Sequence, residues 1–308
     1  MPCGIPLRMS NTPAICAFTI DVESFAESLR QSVAVPASLL EPARMDAELD
    51  SNLDSCLEFL DQYQVRGTFF FLGRIARSAP QLVQRVAAAG HEIGCHSLQH
   101  VRISGQTREE FRSDLRAARE TLEDVSGRPV IGFRAPDFSI GRNNLWALDE
   151  LAEAGFRYDS SVVPTRIHDV YGLVGTSKGL FRWPNGIVEF PLPVATILGA
   201  GIPIGGGGYF RLFPSGWTRR VFEGRQRRHV PTAFYIHPYE IGTAAPRLPD
   251  LSMTRRFRHY VRLTQGRKRL ARMMREVQFT TMADVLMHTG MIAVNSRGTH
   301  GATATTHR

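Results

Sequence analysis

The amino-acid sequence predicts an α/β fold in which helices cover a parallel β-sheet, either open or closed into a barrel. Short apolar runs alternate with segments of helical spacing, an order that is typical of parallel sheets. Of the 308 residues, 43% are hydrophobic and 21% are charged, which excludes wholesale disorder. We expect a single domain over residues 15–290, an N-terminal extension at 1–14 and a flexible polar tail at 291–308.

The first third of the chain shows the clearest alternation of elements. Residues 15–20 (ICAFTI) form an apolar run that predicts a strand, and leucines at helical spacing predict a helix at 49–63. The run 68–72 (TFFFL) predicts a buried strand. A helix is expected at 80–89, ended by a glycine, and a short strand at 91–95.

The remaining elements follow less regularly. Thr107 and Glu110 have the spacing of a capping box, which predicts a helix that ends at Gly127. The stretch 24–48 has no clear pattern and predicts a loop, and the glycines at 205–208 predict a tight turn without a helix directly after it. Apolar runs and helical spacing predict four more strands and one helix, at 130–133, 156–158, 187–190 and 233–236, and at 143–154.

Charge and hydropathy limit the location and the partners. The 37 Lys and Arg exceed the 29 Asp and Glu, for a net charge of +8, but no nucleic-acid-binding motif is present. Neither a signal peptide nor an apolar run of about 20 residues is visible. We expect a cytoplasmic protein, with peripheral membrane contact as one option for the arginine-rich segment 255–275. The four cysteines form no C-x-x-C pair and are expected to be buried free thiols.

Five predicted strands are each followed directly by ionisable residues. These residues are Asp21 with Glu23, His96 with His100, Arg134, Asp159 and His237. In a (β/α) barrel the carboxyl ends of the strands meet at one rim, where active sites are built. We therefore expect these side chains to form one site.

Two histidines and two acids in this set suggest a metal centre. His96 and His100 are four residues apart, and on a helical turn two such imidazoles share a face and bind one metal. Asp21 and Glu23 point to the same side of a strand, so one carboxylate could bind the metal while the other acts as a base. The alternative is that both histidines are structural and that Arg134 only neutralises a buried acid.

The motifs around these residues resemble a known family. TIDVES (19–24), HSLQH (96–100), RAPDF (134–138), YDSS (158–161) and YIHP (235–238) occur in the order of the polysaccharide deacetylase family, the chitooligosaccharide-deacetylase homology domain. The resemblance covers roughly residues 15–285 and is strongest to the subgroup linked to bacterial exopolysaccharide and exosortase loci. It implies a distorted, incomplete (β/α)7 TIM-like barrel and a metal-dependent de-N-acetylase.

The resemblance also implies roles for single residues. Asp21 matches the general base, oriented by Arg134, and the metal ligands match Glu23, His96 and His100. A glutamate and two imidazoles favour zinc among the divalent metals.

The acid side of the reaction is assigned in the same way. His237 matches the general acid and Asp159 the residue that tunes it, although Asp159 and the serines after it also suit a turn cap. A backbone N–H near Asp137 is expected to hold the oxyanion. The residues expected to contact the sugar are Asp137, Phe138, Tyr209 and Arg211.

The function implied is hydrolysis of N-acetyl groups on amino sugars of a bacterial polysaccharide or its precursor, with an N-acetylated glycan as partner. Two alternatives remain open. One is an O-acetyl esterase or a non-sugar amide hydrolase on the same scaffold. The other is a non-catalytic glycan-binding relative, suggested by Glu23 and Ser24, where the family pattern has aspartate.

Overall fold

The computed structural model describes residues 16–166, 172–173, 175–197, 200–242 and 245–293. The strands in these residues are β1 (Cys16–Val22), β2 (Thr68–Phe71), β3 (Glu92–Cys95), β4 (Gly132–Phe133), β5 (Tyr158–Asp159), β6 (Phe181–Arg182), β7 (Val188–Glu189), β8 (Val194–Ile197), β9 (Ala200–Pro203), β10 (Thr232–Ile236) and β11 (Phe279–Thr280). The α-helices are α1 (Phe25–Leu29), α2 (Pro42–Gln62), α3 (Gly73–Ser78), α4 (Pro80–Ala88), α5 (Arg108–Ser126), α6 (Ala147–Glu153), α7 (Gly207–Leu212), α8 (Ser215–Arg227), α9 (Met253–Tyr260), α10 (Gly266–Met274) and α11 (Met282–His288). Short 3-10 helices lie at Ala37–Leu39, Ile103–Gly105, Pro136–Phe138, Arg142–Asn144, Pro238–Glu240 and Leu263–Gln265.

Seven strands lie side by side in parallel, in the order β10-β1-β2-β3-β4-β5-β7. β6 pairs antiparallel with β7 at one edge, β11 pairs with the start of β1, and β8 and β9 form a separate hairpin. Among the described residues β6 and β10 do not pair, so the barrel is incomplete. The predicted fold, a single-domain α/β structure with an incomplete (β/α) barrel, is confirmed.

The core is built around β1, whose seven residues are all buried. Strands flank it and helices cover the sheet, so β1 reads as a continuous apolar run rather than an alternating one. Phe18 in β1 packs against Phe234 of β10 and Phe279 of β11, with ring centroids 5.9 and 5.5 Å apart. This packing fixes the strand that carries Asp21 and holds its carboxyl end at the rim.

The predicted helix after Thr107 forms as expected. The Thr107 hydroxyl accepts from the backbone N–H of Glu110, the Glu110 carboxylate accepts from the N–H of Thr107, and Gly127 ends α5 in a left-handed conformation with φ 64°. Every helix of the described residues is too short or too polar to span a bilayer. Cys16, Cys56 and Cys95 are buried free thiols, as predicted, and Cys3 lies outside the described residues.

The prediction of a loop at 24–48 is wrong. The segment contains α1, a 3-10 turn and the start of α2, where Pro42 occupies the first turn. The Ser24 hydroxyl accepts from the backbone N–H of Glu27 at 3.1 Å and so caps α1. A helix of five residues is stabilised by tertiary burial, here of Phe25 and Leu29, and five residues are too few for a periodic pattern.

Two further expectations need correction. The glycines at 205–208 were expected to form a turn with no helix after it, but α7 begins at Gly207. The tail was expected from residue 291, yet Met291 and Ile292 are buried, and the guanidinium of Arg182 donates to the Met291 carbonyl at 2.5 Å. Residues 294–308 and the extension 1–14 lie outside the described residues.

Candidate metal centre and active site

The predicted site residues at or just after the carboxyl ends of β1, β3, β4 and β10 lie together at the rim of the barrel. Asp21, Glu23, His96, His100 and Arg134 are all buried, with exposed fractions of 3% or less. The arrangement follows from the parallel sheet, since the carboxyl ends of neighbouring strands share an edge. The side chains therefore come together, and their roles stay predictions.

Glu23, His96 and His100 form a group that could hold a metal ion. One candidate ligand atom from each lies within 4.8 Å of the others, and all three residues are buried. The His100 Nε2 is 2.5 Å from the Glu23 Oε2, yet neither atom makes a hydrogen bond within the described residues. Buried polar atoms without a partner are costly. A cation that both atoms coordinate would satisfy them, so the donor chemistry of these residues fits a metal.

His96 is oriented by a backbone contact. Its Nδ1 lies 2.7 Å from the carbonyl oxygen of Arg134, at the end of β4. An Nδ1–H that donates to this carbonyl leaves the Nε2 lone pair free to face Glu23 and His100, the usual second contact of a metal-binding histidine.

The structure corrects the reason given for the histidine spacing. Residues 96–100 form a loop rather than a helical turn, with positive φ at Ser97 (74°) and His100 (44°). Asp114 of α5 accepts from the Ser97 hydroxyl and from the backbone N–H of Leu98. The loop, rather than helical geometry, brings the two rings to a centroid distance of 5.3 Å.

Arg134 is fully buried and holds Asp21 in one orientation. Its Nη1 donates to the Asp21 Oδ1 at 2.6 Å and to the Thr19 hydroxyl at 2.8 Å, and its Nη2 donates to the Ser160 hydroxyl at 2.9 Å. The ring of Phe70 lies 4.3 Å below the guanidinium carbon. With so many contacts the guanidinium is rigid, and so is the carboxylate it pairs with.

His237 completes the group and is its most accessible member, with 20% of its side chain exposed. Its Nε2 lies 2.9 Å from the Glu23 Oε1, its Nδ1 lies 3.4 Å from the Glu240 Oε2, and its ring stacks on Tyr239. Burial alone would lower the pKa of His237, but hydrogen bonds to and charges of Glu23 and Glu240 raise it to about 10. Burial alone would raise the pKa of Glu23, but its contacts with His100 and His237 lower it below its ordinary value.

Asp159 does not take the predicted place beside His237. Its carboxylate accepts from the Ser161 hydroxyl at 2.6 Å and from the Ser161 backbone N–H, and it pairs with the buried Glu189. Burial raises the pKa of Asp159 to about 6 and that of Glu189 well above its ordinary value. Asp159 therefore caps the turn after β5, the alternative that the sequence left open, and the acid beside His237 is Glu240.

Glu240 is the site residue that the sequence reasoning missed. Its Oε2 accepts from the His237 backbone N–H at 3.0 Å, and its Oε1 accepts from the Arg211 Nε at 2.7 Å. A signal was available, because an acid three residues after a strand-end histidine has capping-box spacing. Gly207 serves the same arrangement, since a Cβ there would collide with the Glu240 carboxylate.

Of the four residues predicted to contact the sugar, Arg211 and Phe138 are buried and contact other residues of the protein instead. Arg211 is buried and donates to Glu240 and to the carbonyl of His259, so its guanidinium positions Glu240 instead of lining a cleft. Phe138 is buried, with its ring edge against Tyr235 at 4.9 Å.

Asp137 and Tyr209 keep surface that a ligand could reach. The Asp137 carboxylate accepts from the Arg102 Nε at 2.6 Å, and its backbone N–H has no acceptor among the described residues. Its φ of 52° is uncommon for a non-glycine residue. Tyr209 is half-buried on α7 and stacks on Phe213.

The fold and this rim define a (β/α)-barrel protein with a candidate metal centre. Residues 45–158 match the model of the polysaccharide deacetylase family, and residues 160–287 match a domain of unknown function, DUF3473. The first match supports the polysaccharide deacetylase family for residues 45–158. His96, His100 and Arg134 lie in the first matched segment and His237 in the second, whereas the acids of β1 precede both.

Known proteins resemble parts of the chain or its fold. A peptidoglycan-N-acetylglucosamine deacetylase of Bacillus cereus is 34% identical over 95 residues, which are 30% of this chain and 34% of that protein. The chain spans about a third of the length of the curated relatives it matches.

Two solved structures share the fold. A putative polysaccharide deacetylase from Mycobacterium smegmatis has a TM-score of 0.57 at 20% identity and covers 94% of each chain. Puue allantoinase has a TM-score of 0.59 at 15% identity and covers 91% of each chain. At these identities the similarity concerns the fold alone.

Proposed function

We propose that this chain is a metal-dependent hydrolase that removes N-acetyl groups from amino sugars of a bacterial polysaccharide or its precursor. The observation that carries the proposal is the buried group of Glu23, His96 and His100, which lies beside Asp21 and His237. Within the described residues, the facing Glu23 Oε2 and His100 Nε2 make no hydrogen bond. A site for glycan binding alone needs neither a base nor an acid, so this group favours catalysis over the glycan-binding alternative.

Glu23, His96 and His100 would hold the metal. Two nitrogen ligands and one carboxylate leave coordination positions open, as in catalytic zinc sites, so we propose a divalent metal and favour zinc. When bound, the metal supplies a Lewis acid that polarises the amide carbonyl and lowers the pKa of water.

The remaining side chains would move the protons. Asp21, held by Arg134, takes a proton from the attacking water, and the water oxygen adds to the amide carbon. His237 donates a proton to the sugar nitrogen as the C–N bond breaks, because an amine leaves poorly without one. The products are acetate and a free amino sugar.

The developing oxyanion needs a donor that the protein does not already use. In the turn after Arg134, the N–H of Ala135 donates to the Ser161 hydroxyl and the N–H of Phe138 donates to a carbonyl, and Pro136 has no N–H. Among the described residues, the N–H of Asp137 has no acceptor, which supports the predicted oxyanion contact.

A substrate panel tests the proposal. We expect purified protein to contain a divalent metal and to release acetate from N-acetylated oligosaccharides together with an equal amount of new primary amine. Acetate without amine from O-acetylated sugars would identify an esterase, and a new carboxylate from ring opening of a cyclic ureide would identify a non-sugar amide hydrolase. Failure of every substrate with metallated, folded protein would contradict the proposal.

A further inference from the structure

The positive charge of the chain is concentrated in one segment, residues 251–275. This segment contains nine of the 37 Lys and Arg and none of the 29 Asp and Glu, so the 28 basic residues elsewhere nearly balance the acids. The basic residues are Arg255, Arg256, Arg258, Arg262, Arg267, Lys268, Arg269, Arg272 and Arg275. The net charge of +8 therefore comes from this segment, since the rest of the chain is close to neutral.

The helix α9 in this segment exposes apolar side chains among the arginines. It has no buried residue, and Met253 and Phe257 are 82% and 59% exposed, the highest values for large hydrophobic side chains among the described residues. They lie four residues apart and so share one side of the helix. Arg255 and Arg256 beside them are exposed and have no acidic partner in the described part of the chain.

The protein holds α9 at its C-terminal end. The Tyr260 hydroxyl donates to the carbonyl of Pro246 and accepts from the N–H of Leu248, and its ring packs on Phe25. Arg211 donates to the carbonyl of His259 at 2.7 Å. The exposed apolar residues lie in the part of the helix before these contacts.

We propose that α9 docks this protein on an anionic lipid bilayer, with Met253 and Phe257 in the interfacial layer and the arginines on lipid phosphates. Aromatic and aliphatic side chains beside a dense set of cations are typical of helices that lie in a membrane surface. A second copy of the chain is a poor occupant, because its own arginines would repel these. A nucleic acid would attract the arginines but leaves the exposed Met253 unexplained.

This docking surface is connected to the candidate active site. Arg211 donates both to the His259 carbonyl in α9 and to the Glu240 carboxylate, which contacts His237. A bilayer bound at α9 would therefore lie near the rim of the barrel. The inference does not depend on the proposed function, because vesicle binding is measured without substrate.

Vesicle binding by the full chain tests the proposal. We expect sedimentation with phosphatidylcholine vesicles that contain phosphatidylglycerol, little binding to phosphatidylcholine alone, and weaker binding at high ionic strength. The double variant Met253→Ser/Phe257→Ser should bind roughly tenfold more weakly, and so should Arg255→Gln/Arg256→Gln.

Matched controls use exposed residues elsewhere. Val101→Ser removes an apolar side chain that is 37% exposed, and Arg116→Gln/Arg128→Gln removes the same charge from exposed positions; both should bind like the unaltered protein. Three results would overturn the proposal. The first is that the unaltered protein does not bind anionic vesicles at low salt. The second is that the control variants lose as much vesicle affinity as the α9 variants. The third is that the Met253→Ser/Phe257→Ser variant keeps its full vesicle affinity and binds an oligonucleotide as tightly as vesicles.

Discussion

Asp21 and Arg134 form an ion pair that the protein shields from water almost completely. Removing one partner of such a pair leaves a buried charge without compensation, which costs roughly 3–5 kcal/mol. A test of the base assignment therefore needs a substitution that preserves shape, and it needs a readout that separates loss of chemistry from loss of folding.

We expect Asp21→Asn to lower kcat by about 100-fold or more, since a general base contributes 10²–10⁴. Asparagine keeps the acceptor for Arg134 but cannot take a proton from water. Metal content should stay near that of the unaltered protein, because Asp21 is not in the proposed ligand group. Elemental analysis and acetate release on the same preparation check this, and near-normal turnover would remove the base assignment.

We expect Glu240→Gln to lower kcat about tenfold while KM changes little, because Glu240 acts through His237 and does not reach the substrate. Glutamine still accepts from the His237 backbone N–H, but the buried Arg211 loses its charged partner, so the free energy of unfolding is measured beside kcat. Glu240→Ala should be less active than Glu240→Gln. The matched control is Asp159→Asn, on the acid that caps a turn elsewhere. If Asp159→Asn lowered kcat with unchanged stability and Glu240→Gln did not, the family assignment of Asp159 would stand and ours would be wrong.

At the scale of elements, the sequence predicted which residues lie at the strand ends but not which side chains contact each other there. The residues after β1, β3, β4 and β10 could be placed at one rim because parallel strands end on the same side. The partner of His237 could not be placed, because Asp159 and Glu240 both occupy strand ends or the turns after them, and only packing decides which acid faces the ring. The HSLQH loop shows the same limit, since its histidines meet through positive-φ backbone at Ser97 and His100.

His91 links the start of β3 to the start of β2. Its Nδ1 accepts from the backbone N–H of Gly67 at 3.1 Å, and its imidazole is 4% exposed. Burial, with a smaller contribution from Arg66, lowers the pKa of His91 from 6.5 to about 4. In the folded protein the imidazole of His91 is therefore neutral at pH 7, as expected for a structural histidine at the end of the barrel opposite the candidate site.

We expect this lowered pKa to make folding sensitive to acid. The contribution of neutral His91 to the free energy of unfolding is fully present above pH 6.5. It is lost as the pH falls towards 4, by about 3 kcal/mol in total. His91→Asn keeps an acceptor near the Nδ1 position and does not titrate. Denaturant unfolding at pH 7 and at pH 4 should therefore show a smaller loss of unfolding free energy in the variant. Equal losses in the two proteins would show that His91 does not carry this pH dependence.

At the scale of the whole molecule, the candidate metal group joins distant parts of the chain. Glu23 follows β1, His96 follows β3, and His237, which contacts Glu23, follows β10. The match to the polysaccharide deacetylase model covers only 45–158, yet two more strands of the parallel sheet, β7 and β10, lie in the second matched segment. The order of the five motifs along the chain therefore predicted the barrel better than any single helix or strand, because each motif marks the end of one strand.

We expect metal binding at this group to stabilise the whole fold. An ion held by Glu23, His96 and His100 ties the first strand to the loop after the third, and an unfolded chain does not present these ligands together. Free zinc at about 100 times its Kd should raise the free energy of unfolding by about 2.7 kcal/mol.

We expect a chelator to lower the Tm of the unaltered protein and added zinc to restore it. His96→Ala should have a low Tm that neither treatment changes, and its metal content should fall with its activity. His288→Ala, on the exposed side of α11, is the matched control and should respond to zinc like the unaltered protein. A fully metallated His96→Ala protein with a zinc-dependent Tm would contradict the ligand assignment.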